Sequence, residues 1–170
     1  DFLPFPPRHG GPGRGRLLVT VFHNPWFLPL RFDVGDVARL AQGGPCPCGR
    51  DDGLTLEAIE GRLADVTYDR EGRAVTVDDL DRRLAELDGL RGWQLLLPAP
   101  GRFDLMVLAS EALAPRVRAA AHDVLAACYG PDADVRVRTV SALRPELSGK
   151  FRFVCTDFPL SHEELLRGCP

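Results

Sequence analysis

Lysine is nearly missing from this chain: 20 of its 21 basic side chains are arginine, and the single lysine is Lys150. Arginine presents a rigid planar fork, whereas lysine carries a compact ammonium on a flexible stem that can be threaded to one oxygen in a crowded pocket. The exception therefore points to chemistry. Other absences narrow the class. No apolar run approaches the ~20 residues needed to span a bilayer, and the opening Asp-Phe-Leu-Pro-Phe-Pro-Pro has neither the basic nor the apolar region of a signal peptide. No basic stripe with interleaved aromatics supplies a phosphate footprint, and the net charge of -3 argues against nucleic-acid and membrane-surface partners. Five cysteines are an odd count without the even framework of a small secreted domain, so disulfides are not expected. There is no internal repeat and no Gly-x-x-x-x-Gly-Lys phosphate loop. These absences read as a cytoplasmic protein, and an opening Asp in place of Met is expected of a segment of a longer polypeptide.

With 45% hydrophobic and 26% charged residues, the composition is that of an ordinary globular chain. The pattern changes near Gly61. Before it, residues 16–22 (RLLVTVF), 29–33 and 36–40 read as short strands separated by Pro, Gly and Asn, which predicts an antiparallel sheet or small barrel over residues 1–60. After it, strands alternate with helices. Residues 63–68 are strand-like, and Thr76 with Asp79 three positions on forms a capping box. Val77, Leu80, Leu84 and Leu87 then share a helical face. Residues 93–97 and 103–109 read as a hairpin with a longer loop, and Leu113, Val117, Ala121, Val124, Leu125 and Cys128 form a second helical stripe that stops before Gly130. Residues 134–140 (DVRVRTV) alternate with period two and close the unit as a half-buried strand. The expectation is an α+β chain in which a small antiparallel subdomain precedes a ferredoxin-like βαββαβ domain over residues 61–155. A short helical tail over residues 156–170 follows, with a capping box from Ser161 to Glu164.

Cys46 and Cys48 lie in a tight Gly-Gly-Pro-Cys-Pro-Cys-Gly-Arg loop. Two thiolates are half of the four ligands that zinc takes, with His9 and His23 as upstream completions. The alternative is a stiff turn bearing two small apolar side chains.

Several polar motifs stand in order: Gly15-Arg16-Leu17-Leu18-Val19-Thr20 and Pro29-Leu30, then Arg31-Phe32-Asp33-Val34-Gly35-Asp36, Cys46-Pro47-Cys48-Gly49-Arg50, Gly61-Arg62-Leu63-Ala64-Asp65 and Ser148-Gly149-Lys150-Phe151-Arg152. From about Gly15 to Val154 this resembles the carboxy-terminal part of the adenylate-forming ligases, in their phenylacetate-coenzyme A ligase-like branch. The resemblance implies an enzyme that uses ATP and Mg²⁺ to turn a carboxylic acid into an acyl-adenylate, then passes it to the thiol of coenzyme A or a carrier protein. It implies that Asp36 accepts hydrogen bonds from the two ribose hydroxyls of ATP, that Arg62 lies near the ribose at the domain junction, and that Lys150 is the mobile catalytic lysine.

The sequence also departs from the family pattern. Ala64 stands where many relatives carry an acidic hinge residue, with Asp65 directly after it, and Asp69-Arg70-Glu71-Gly72-Arg73 replaces the usual Arg-Gly turn. The family's phosphate loop and acid pocket belong to an amino-terminal adenylation domain, which this reading requires in cis or in trans. The alternative is a non-catalytic regulatory or carrier-docking module derived from the same ligase.

Overall fold

A computed structural model of the chain describes residues 1–43, 46, 48–49, 53–145 and 149–166. It comprises two compact units that divide between Ala64 and Asp65, the tail from Ser161 belonging with the first. Arg50, Ser148 and Cys169 lie outside the described residues.

The first unit is an antiparallel sheet of four strands, β1 (Phe2–Pro4), β2 (Arg14–Val19), β3 (Phe32–Leu40) and β4 (Leu56–Arg62), in that spatial order. Gly15 is required where β2 passes β1, because a Cβ there would lie 2.3 Å from the Leu3 carbonyl oxygen. The two strands expected at residues 29–33 and 36–40 are one. Gly35, at φ 75°, bulges β3 without ending it. Its N–H is held by Asp33 Oδ1 at 2.8 Å, so the side chain replaces the lost ladder bond. Arg31 turns the chain just before the strand with φ 46°. Phe5, Val37 and Ala38 form the core with Leu165 from a final helical turn, α3 (Glu163–Leu166).

Glu164 on that turn pairs with Arg8 and accepts from His9 Nε2 at 3.1 Å. The His9 hydrogen bond, reinforced by Arg8, holds the Glu164 carboxyl below its ordinary value of 4.5. A depressed folded-state pKa stabilises the tie above the ordinary value, and the tie is lost as pH falls through the depressed one. NMR titration of the α3 amide signals should therefore give a midpoint below 4.5, and His9→Leu should move it upward. Equal midpoints in the two proteins would show that His9 does not hold the tail.

The second unit begins with a two-stranded ribbon, β5 (Thr67–Tyr68) and β6 (Ala74–Val75). Asp69 closes its turn by accepting the Glu71 and Arg73 N–H groups at 2.9 and 2.8 Å. Helix α1 (Val77–Leu84) starts with the expected capping box, Thr76 and Asp79 each accepting the other's N–H. Strands β7 (Leu90–Ala99) and β8 (Arg102–Ala109) form the hairpin, longer than expected because pairing continues to Ala99 opposite Arg102. Helix α2 (Ala114–Tyr129) ends before Gly130, and β9 (Asp134–Thr139) and β10 (Val154–Thr156) follow. The sheet order is β10-β7-β8-β9, with an antiparallel central pair and parallel flanks.

The class is α+β, an antiparallel sheet followed by a mixed one. The order of elements follows βαββαβ, but the sheet pairing differs from the ferredoxin-like expectation. The strand ahead of α1 forms the separate ribbon, and β10 takes the remaining place in the sheet. Residues 63–65 turn as a 3-10 helix, which leaves too little extended chain there for a sheet strand. Trp93, Leu95 and Leu97 on alternate positions of β7 face a core shared with Leu80, Leu84, Val117, Ala121 and Leu125 from the helices.

Candidate functional site

Asp36 and Arg62, 26 positions apart, are register partners on β3 and β4. Arg62 Nη1 donates to Asp36 Oδ1 at 3.0 Å and to the Val34 carbonyl at 2.6 Å, the carbonyl next to bulging Gly35. The Asp36 side chain is 31% exposed and that of Arg62 62%, so the pair is partly solvated. A carboxylate offers about four acceptor sites, and one arginine contact leaves capacity for a vicinal diol.

Lys150 is exposed in the second unit, after Gly149 at φ 78°. The segment around it is tied down at both ends. Gln94 Nε2 donates to the Arg144 carbonyl at 3.0 Å and to the Arg152 carbonyl at 2.9 Å. The Arg152 guanidinium in turn donates to Asp65 Oδ1 through Nη2 at 2.6 Å and Nε at 3.1 Å. Asp65 is buried in the 3-10 turn (Leu63–Asp65), and the expected hinge pair Ala64 and Asp65 straddles the division between the units. Asp65 is thus fixed within the same unit as Lys150.

Cys46 and Cys48 bring their sulfurs to 2.9 Å. Among the described residues no group of three His, Cys, Asp or Glu side chains gathers to hold a metal. Of the two upstream completions, His9 is buried against Glu164 and His23 is exposed. The described residues supply half of a zinc ligand set and do not fit a closed site.

Sequence reasoning missed the roles of Gln94 and Arg152. Gln94 carried a signal, as the one polar residue in the run Trp-Gln-Leu-Leu-Leu. The Arg152 contact had none, because its partner lies 87 positions away.

No family model matches the sequence, and no curated protein matches it. Among solved structures, the chain is similar to 2-hydroxyisobutyryl-CoA ligase. Two crystal structures of that enzyme in the postadenylation state, with R3-HIB-AMP and with 2-HIB-AMP, each match with TM-score 0.66 and 21% identity over 91% of this chain and 33% of the ligase. An open conformation in complex with 2-HIB-AMP and CoA matches with TM-score 0.55 and 22% identity over 85% of this chain and 32% of the ligase. This likeness establishes the fold. The structural neighbours are adenylate-forming acyl-CoA ligases, this chain spans about a third of their length, and the match is consistent with a carboxy-terminal portion.

Proposed function

We propose that the chain is the carboxy-terminal part of an ATP-dependent carboxylic-acid-activating ligase, with Asp36 and Arg62 on the ribose side of the nucleotide and Lys150 as the mobile lysine of adenylation. The observation that carries this reading is the juxtaposition of Asp36 and Arg62 on neighbouring strands, within a fold shared with ligases of this class. Surface composition supports it as well. Trp26 is 93% exposed, and Phe22, Phe27, Leu28 and Leu30 beside it are also exposed. An apolar surface of that kind suits a partner domain and favours the ligase segment over a free-standing module.

In the first half-reaction an acid carboxylate oxygen attacks the α-phosphorus of ATP, the bond from that phosphorus to the α,β-bridging oxygen breaks, and pyrophosphate leaves. Asp36 accepts from the ribose hydroxyls and fixes the nucleoside, Arg62 steadies Asp36, and the Lys150 ammonium donates to oxygens on which negative charge builds. Mg²⁺ enters with ATP and neutralises phosphate charge when bound. In the second half-reaction the thiolate of coenzyme A or a carrier protein attacks the acyl carbon and AMP leaves, giving the thioester. Lys150 has no part in that step.

The ribose assignment is tested with the chain joined to its adenylation domain. Asp36→Ala should weaken ATP binding, since each hydrogen bond to a charged acceptor contributes about 1.5–3 kcal/mol. The same change should leave 2′,3′-dideoxy-ATP binding nearly unaltered. Equal weakening for both nucleotides would remove Asp36 from the ribose.

A further inference from the structure

We propose that Gln94 is a positioning residue for Lys150, holding both ends of the loop that carries it; this rests on the adenylation role proposed for Lys150. Trp93, Leu95 and Leu97 of β7 point into the core, so Gln94 lies on the opposite face of the sheet, where it is nevertheless only 4% exposed. A buried amide is costly unless it is hydrogen-bonded, so its partners define why it is there. Its Nε2 donates to two backbone carbonyls, at Arg144 and Arg152, and lies a longer 3.7 Å from Cys155 Sγ. A carbonyl cannot donate, so the amide nitrogen, with its two hydrogens, must face them. One NH₂ group thereby brackets Lys150, six residues behind it and two ahead.

The far side of the loop has further ties. The Leu95 N–H donates to the Phe153 carbonyl at 2.8 Å, the Trp93 and Phe153 rings lie 5.0 Å apart, and Arg152 is clamped by Asp65. Gln94 fastens the Arg144 end to that fixed side. An exposed lysine on a flexible stem needs its base held, because misplacing a reacting group by about 1 Å can cost roughly 100-fold in rate. No other side chain of this shape would serve. Asn is a methylene shorter, and an ionised Glu has no hydrogen to give to either carbonyl.

The test uses the chain joined to its adenylation domain. A cavity of about 500 Å³ beside Gln94 is lined by Leu96, Met106 and Leu143, so Gln94→Leu meets apolar neighbours and should fold, as circular dichroism would verify. It should lower kcat for acyl-adenylate formation roughly 10- to 100-fold. KM for ATP, and the rate of thioester formation from supplied acyl-adenylate, should stay within about twofold, since only the adenylation transition state uses the lysine. Gln94→Glu should be at least as impaired at neutral pH. Its activity relative to the unsubstituted enzyme should rise as pH falls, because a protonated carboxyl regains one donor. Equal losses in both half-reactions, no loss, or no relative recovery of the Gln94→Glu variant at low pH would each overturn the proposal. Lys150→Ala run alongside separates the two readings. If it leaves adenylation intact, the lysine assignment falls and takes Gln94 with it. If it slows adenylation while Gln94→Leu does not, only the positioning role falls.

Discussion

Lys150→Ala, in the chain joined to its adenylation domain, should slow acyl-adenylate formation by roughly 10²–10³, equivalent to about 2.7–4 kcal/mol, the usual cost of removing one preorganised donor from a transition state. Thioester formation from supplied acyl-adenylate should be nearly untouched, because the unit that carries Lys150 is expected to rotate away for the second step. Lys150→Arg should recover little. A guanidinium keeps the charge but is broader and rigid, so it cannot follow the path of a compact ammonium toward oxygens that shift during in-line displacement. Rapid-quench measurement of each half-reaction decides the matter. Equal losses in the two steps would make Lys150 a structural residue, and near-normal adenylation by the Arg variant would show that charge alone suffices.

The largest stability effect is expected at Glu60. Its side chain is fully buried in the first unit, where Arg14 from β2 reaches it through Nε at 2.5 Å and Arg39 from β3 through Nε at 3.2 Å. The two arginines are themselves register partners, so this carboxylate neutralises a pair of like charges across three strands, with half-exposed Glu57 a longer second contact of Arg39 at 3.6 Å. Glu60→Ala would leave those guanidiniums facing each other with little solvent, and breaking a buried ion pair from one side costs about 3–5 kcal/mol. Replacing all three residues with apolar ones of similar volume should restore much of the loss, because the desolvation penalty disappears together with the attraction. Urea unfolding of the single and triple variants measures both. A loss under about 1 kcal/mol for Glu60→Ala would mean that the cluster behaves as a solvated surface pair.

The legible parts of the fold were those governed by contacts close in sequence. Thr76 and Asp79 announce the start of α1 because a capping box needs only three intervening bonds of helix. The stripe ending at Cys128 gives α2, and Gly130 gives its stop, for the same reason. Gly35 misled. A glycine between two short runs signals a break as well as a bulge, and only the pairing of β3 with β2 on both sides of Gly35 decides for the bulge. β10 was not legible at all, since three residues carry no periodicity and their partner strand is some 60 positions upstream. β4, which carries Glu60, was not among the strands read from the sequence. The burial of Glu60 depends on two arginines contributed by other strands.

For the site, chemistry alone singled out Lys150 through its solitude, and family resemblance picked out Asp36 and Arg62. Nothing local in Gly-Asp or Gly-Arg distinguishes a nucleotide contact from a turn. Gln94 is the instructive case. Its polarity inside Trp-Gln-Leu-Leu-Leu was visible, but its two carbonyl partners lie 50 and 58 positions away, so its function emerges only from the folded chain.

Acid-dependent exchange of labelled pyrophosphate into ATP, measured for the chain joined to its adenylation domain across a panel of carboxylic acids and without any thiol, tests the central claim most directly. Exchange should require one class of acid, proceed in the absence of coenzyme A, and fall by roughly 10²–10³ in the Lys150→Ala variant. No exchange with any acid, or exchange that Lys150→Ala leaves unchanged, would contradict it and favour a non-catalytic module.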